Sequence, residues 1–145
     1  MTALLVDTSV LIKWFHSKGE TQVAEARAIR DAHQRGDLDA LVIDLAVYEM
    51  GNVLLRALHW SAAEVADQLD DLVAICGTPL VMAPEWRRDA ALIGTTHQLT
   101  FYDAAWASSA RAMGIPLVSA DAQQLKAGLA ESPAAVVERL RLPCQ

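Results

Sequence analysis

The chain alternates apolar runs too brief for a helix with longer amphipathic stretches, and two of the runs lead straight into an aspartate. Ala3-Leu4-Leu5-Val6 is followed by Asp7, and Ile115-Pro116-Leu117-Val118 leads through Ser119 and Ala120 to Asp121. Short apolar runs separated by amphipathic helices point to buried parallel strands with helices laid over both faces. The expected fold is α/β, a three-layer α/β/α arrangement around a central, mostly parallel sheet of four or five strands. The strands are expected at residues 3–6, 41–43, 79–82 and 117–118, and residues 135–137 are the candidate for a fifth.

The intervening stretches carry helix punctuation. Residues 8–16 and 20–34 read as helices, the second ended by Gly36, and Asp44 stands where it can cap the helix that carries Glu49 and Asn52. Ser61-Ala62-Ala63-Glu64 is a capping box that opens a helix running to about residue 75, with Gly77 after it. Pro84 suits the first turn of the next helix. Residues 101–113 are helical by period, and Gly114-Ile115-Pro116 turns that helix into the strand at 117–118. With 145 residues, 53% of them hydrophobic, the chain is long enough to bury most of its apolar surface in one compact domain spanning residues 1–145.

Four acids stand in places that disfavour a charge. Asp7 and Asp121 close apolar runs, while Glu49 and Asp103 sit among apolar residues of helix-like segments. An isolated buried carboxylate is costly, so each must be hydrogen bonded, neutralised or bound to a cation. In an open parallel sheet, ligands bind beyond the carboxyl ends of the strands, which puts Asp7 and Asp121 on one edge if their strands are neighbours. Each acid also has a plainer role. Asp7 and Asp121 could cap the helices that follow them, Thr100 and Asp103 have capping-box spacing, and Glu49 could share a solvated helix face with Asn52 and Arg56. The joint arrangement favours a site, because hydroxyls accompany the acids: Thr8 and Ser9 after Asp7, Ser119 before Asp121, Tyr102 beside Asp103. Hydroxyls so placed hold metal-binding oxygens in position.

These strings carry a family resemblance. Leu5-Val6-Asp7-Thr8-Ser9, Glu49 with Asn52, Leu99-Thr100-Phe101-Tyr102-Asp103-Ala104 and Pro116-Leu117-Val118-Ser119-Ala120-Asp121 resemble, in order and spacing, the PIN-domain ribonucleases, specifically VapC-type toxins of bacterial toxin-antitoxin modules. The resemblance spans residues 4–121. It implies that Asp7, Glu49, Asp103 and Asp121 form a catalytic, metal-binding site, with Asp7 and Asp103 the most direct ligands and Ser9, Asn52 and Ser119 as supporting polar groups. It further implies Mg2+ as cofactor with Mn2+ as substitute, an RNA substrate, a cognate antitoxin and a homodimer. The charged segment at residues 18–39 and the tail Leu142-Pro143-Cys144-Gln145 depart from the pattern.

The chemistry of a hard cation fits such a set. Magnesium takes oxygen ligands at roughly 2.0 to 2.1 Å and keeps several waters, so a few carboxylates and a substrate phosphate complete its shell. One ion or two, the latter roughly 3.5 to 4 Å apart, can support in-line displacement at phosphorus. The expected reaction is hydrolysis of an internal RNA phosphodiester without a covalent enzyme intermediate. The competing expectations are a non-catalytic module that keeps the acidic pocket but only binds RNA or protein, and hydrolysis of a small phosphomonoester.

Other classes find little support. The excess of six negative charges argues against a polyanionic partner unless the acids take up a cation, and it makes Lys13, His16, Lys18, Arg56, Arg87 and Arg88 matter by position. The four histidines share no short ligand spacing, which argues against zinc, and there is neither a GxGxxG nor a P-loop motif. Cys76 and Cys144 form no framework, the N-terminal apolar run lacks the marks of a signal peptide, and no run approaches the roughly 20 residues that span a bilayer, so a cytoplasmic protein is expected. The four tryptophans suit core or interface packing, with Trp14, seven residues beyond Asp7, as the candidate for stacking on a base.

Overall fold

A computed structural model describes residues 2–145. It is a helix-rich α/β fold around a parallel three-stranded sheet ordered β2-β1-β3, formed by β1 (Ala3–Val6), β2 (Asp39–Leu41) and β3 (Leu117–Val118). The helices are α1 (Thr8–Phe15), α2 (Val23–Gln34), α3 (Leu45–Asn52), α4 (Ala62–Cys76), α5 (Pro84–His97), α6 (Phe101–Met113), α7 (Ala122–Lys126) and α8 (Pro133–Leu140). Parallel strands need crossover connections, and here helices supply them. The three-layer expectation holds.

The central strand β1 pairs on both edges, Leu4 opposite Ala40 and Val6 opposite Val118. A strand buried on both faces must be apolar throughout, and Leu4, Leu5 and Val6 are fully buried. The pairing with β3 continues one residue further, since the Asp7 amide donates to the Val118 carbonyl at 3.0 Å. The sheet therefore delivers the chain at Asp7 and at Ser119 to the same edge.

Among the described residues there are three strands where four or five were expected. The segment around Leu80 touches the sheet margin through one parallel bridge with Ile43, held by the Leu80 amide on the Val42 carbonyl at 2.9 Å. A single bridge does not extend into a strand. Residues 135–137 lie inside α8, because Ser132 caps the helix by accepting from the Ala135 amide and Pro133 starts its first turn. Glu131 instead borders β3, exchanging backbone bonds with Leu117 and Ser119.

Not every helix-end expectation holds: Asp44 stands at the N-cap of α3 in helical conformation and its carboxylate caps nothing. Ser61 and Glu64 form the full reciprocal capping box of α4. Gly114 ends α6 with φ +67°, a conformation glycine adopts without strain. A π-turn over Val53–Ala57, continuing α3, was not foreseen. Its signal is absent from periodicity, yet such bulges recur beside functional sites. The C-terminal tail lies against α2, where Pro143 and Gln145 border Arg27, Arg30 and Arg35. Among the described residues no helix is long and apolar enough to cross a membrane.

Candidate active site

The four sequence-selected acids line one depression of about 240 Å³, together with Thr8, Ser9, Ile12 and Val53. Asp7 comes from the end of β1, Glu49 from α3, Asp103 from the first turn of α6 and Asp121 from the residue before α7. The topology explains the meeting: β1 and β3 are neighbours, so their exits adjoin, and α3 and α6 flank that edge.

Among the four acids, a side-chain cap is made by Asp121 alone. Asp7 occupies the N-cap of α1 but its carboxylate caps nothing. Its Oδ2 instead accepts from Ser119 Oγ at 2.7 Å and Ser9 Oγ at 2.9 Å. Asp103 is not a cap either; Thr100 caps α6 by accepting from the Asp103 amide at 3.1 Å. Asp121 does cap α7, its Oδ2 accepting from the Gln124 amide at 2.9 Å. Glu49 does not sit on a solvated face: its Oε1 accepts from Thr8 Oγ1 at 2.9 Å and Trp106 Nε1 at 2.8 Å.

In Asp7, Glu49 and Asp121 these bonds fall on one carboxylate oxygen, so each acid is steered by one atom while its other oxygen carries none of them. Ser9 and Ser119 form a seam between the two strand exits. Their hydroxyls stand 3.3 Å apart, Ser9 Oγ accepts from the Ala120 amide, and Ser119 Oγ accepts from the Asp121 amide. Glu49 is held by Thr8 and Trp106, while Asn52, expected as a supporting group, lines with Glu49, Tyr48 and Tyr102 the depression that adjoins the acidic one.

Trp106 is the residue that sequence reasoning missed. It lies one helical turn past Asp103 on α6 and is fully buried, so its indole N–H needs a partner and finds Glu49. The available signal was its i+3 spacing from Asp103. Trp14, the candidate for base stacking, is also buried, with its indole N–H on the Ala26 carbonyl at 2.9 Å. It is a packing residue. Of the basic residues singled out, Lys13 is buried and paired with Glu20 at 2.8 Å, beside the depression.

The electrostatics follow from crowding. Burial pushes the Asp7 carboxyl up from 3.8 to about 6 despite the two serine hydroxyls, with repulsion from Glu49 and Asp103 adding to the rise. Asp103 is raised as well, by burial first and then by repulsion from Asp121 and Glu49. Among the described residues no three acidic, histidine or cysteine side chains are drawn together as a ready-made metal cage. The acids face one another across an open depression. The donor set is carboxylate and hydroxyl oxygen only, which suits a hard divalent cation and not zinc or copper.

The sequence profile of the PIN domain matches residues 4–129. No curated protein matches the chain. Among solved structures, PAE2754 from Pyrobaculum aerophilum is similar at 23% identity over 97% of each chain, with a TM-score of 0.66. VapBC2 from Rickettsia felis, determined bound to a DNA fragment from its promoter, is similar at 10% identity over 90% of this chain and 97% of that one, with a TM-score of 0.67. FitAcB from Neisseria gonorrhoeae is similar at 15% identity over 90% and 98% of the respective chains, with a TM-score of 0.63. These likenesses concern the fold.

Proposed function

The chain belongs to the PIN-domain family, and on that premise we propose that it is a divalent-metal-dependent endoribonuclease that hydrolyses internal RNA phosphodiesters. PIN domains are in general nucleases. The observation that carries the proposal is the shared depression of Asp7, Glu49, Asp103 and Asp121, acids drawn from four elements far apart in sequence. Such a cluster of repelling carboxylates opposes folding unless a cation offsets it.

Asp7 and Asp103 would hold the cation, with Glu49 and Asp121 completing the acidic wall. When bound, a magnesium or manganese ion supplies Lewis acidity at phosphorus and activates water. The chain's own residues do the rest. Ser9 and Ser119 fix the Asp7 carboxylate by one oxygen and leave the other without these bonds, where it would be available to a cation. Thr8 and Trp106 do the same for Glu49, and the Gln124 amide for Asp121. Fixing these oxygens in advance lowers the cost of ordering them at the moment of reaction.

The biological setting we infer is that of the toxin of a toxin-antitoxin pair, inhibited by a cognate antitoxin, working as a homodimer in the cytoplasm on RNA. The four VapC-like motifs support this, as does the likeness of fold to the two-component VapBC2 and FitAcB. The whole chain would act as one domain.

Purified protein is incubated with structured RNA and Mg2+ or Mn2+, with chelator and Asp7→Asn controls. Internal cuts that need the metal and vanish in the variant are expected. Equal cleavage by Asp7→Asn and parent would remove Asp7 from the site, and RNA binding without cleavage under every metal would make the chain a binding module.

A further inference from the structure

The geometry points to a slot for an unpaired nucleobase beside the acidic site, formed by Tyr48, Asn52 and Tyr102; the inference rests on the nuclease reading and names how the substrate strand is gripped. One face of α3 and its continuation presents Leu45, Tyr48, Glu49, Asn52 and Val53, at spacings of three and four residues, to a depression of about 420 Å³. Tyr102, from the first turn of α6, closes it from the other side. Glu49 and Val53 line both this depression and the acidic one, so a strand whose phosphate lies at the acids has this space next to it.

The chemistry of the lining selects a base over the rest of a nucleotide. Tyr48 is 70% exposed and Tyr102 is 61% exposed, in a chain whose two tyrosines are these. Large rings held in water beside a polar amide are suited to stacking on a flat aromatic ligand, and Asn52 offers a donor and an acceptor to its edge. Among the described residues no basic side chain lines the space and Glu49 borders it, which disfavours a second phosphate there. Single-stranded RNA, whose bases can be splayed out, is the form that can enter; the deep major groove of an A-form duplex keeps its bases from side chains.

The test uses short single-stranded RNAs with an abasic residue on one or the other side of the mapped cut. The parent is expected to cut one of the two abasic substrates with kcat/KM lower by roughly five- to 150-fold, the range for loss of one stacked base. Tyr48→Ala should cut abasic and intact RNA alike, and Tyr48→Phe should keep the parent's discrimination. In parallel, the Asp7→Asn chain should quench 2-aminopurine at that position of the same RNA, and adding Tyr48→Ala should abolish the quench. A quench without any cleavage would defeat the nuclease reading and leave the slot standing. Cleavage with equal discrimination in parent and Tyr48→Ala overturns the slot alone, as does the absence of both quench and discrimination. If Tyr48→Ala changes the oligomeric state and leaves both base readouts as in the parent, the slot is overturned and the rings belong to a contact between copies.

Discussion

Ser119 Oγ donates to Asp7 Oδ2 across 2.7 Å, joining the exits of two strands that are 112 residues apart in the chain. The same oxygen of Ser119 accepts from the Asp121 amide, so one fully buried hydroxyl orients two of the four acids. Partners of metal-binding carboxylates typically carry a 10- to 100-fold effect on metal affinity or activity. Ser119→Ala is therefore expected to raise the Mn2+ concentration for half-maximal cleavage by about 10- to 100-fold. A metal titration of the cleavage rate checks it, and an unchanged midpoint would strip Ser119 of this role.

Trp106 holds Glu49 through one N–H, and that bond can be separated from packing. Trp106→Phe keeps most of the buried ring and deletes the donor to Glu49 Oε1. Cleavage is expected to fall about 10- to 100-fold while the far-ultraviolet spectrum stays that of the parent. Trp106→Ala instead should cost about 3–5 kcal/mol of stability, read from denaturant unfolding.

The raised Asp7 carboxyl gives the metal-free protein an inverted pH dependence. Its folded pKa of about 6 lies above 3.8, so the native state holds the proton more tightly than the unfolded chain does. Its favourable contribution is whole below pH 3.8 and is lost as pH rises through about 6. The loss is on the order of 3 kcal/mol, and Asp103 moves in the same direction. Metal-free Tm should drop by up to roughly 10 °C between pH 4 and 7. Asp7→Asn should flatten that drop, and added Mn2+ should reverse it for the parent at pH 7. A parent Tm that rises steadily over the same interval would contradict the burial of Asp7 as a destabilising charge.

A prediction away from the site concerns His33, which stitches three elements. Its Nδ1 accepts from the Ala40 amide of β2 at 3.0 Å, and its Nε2 meets the Ile75 carbonyl in the last turn of α4 at 2.6 Å. The ring must then be the tautomer with the proton on Nε2. His33→Ala strands both backbone groups and should cost about 1–3 kcal/mol, seen as a lower denaturant midpoint with cleavage retained at permissive temperature.

The legible parts of this molecule were those set by local chemistry. The Ser61–Glu64 capping box, Pro84 at a helix start and Gly114 at a helix end act within a few residues, and each stands where its sequence placed it. The four acids were legible for a related reason: a charge at the end of an apolar run needs a long-range explanation, and the sheet order supplies it. Trp106, the π-turn at Val53–Ala57 and the merging of residues 135–137 into α8 were not. For residues 135–137 the cue was local, Ser132 as cap and Pro133 at the first turn of α8, and it outweighed the strand-like apolar triplet. The i+3 spacing put Trp106 on the face of Asp103, but whether its N–H serves packing or a carboxylate depends on what lies opposite.

The central claim is that Asp7, Glu49, Asp103 and Asp121 together capture one or more divalent ions, and the most direct measurement is anomalous diffraction from crystals of the protein equilibrated with Mn2+. The account predicts a manganese peak within the depression these acids line, in contact with Asp7 and Asp103 oxygens, and its loss in Asp7→Asn crystals prepared the same way. A featureless depression at saturating Mn2+, with the serine bonds to Asp7 unaltered, would contradict it.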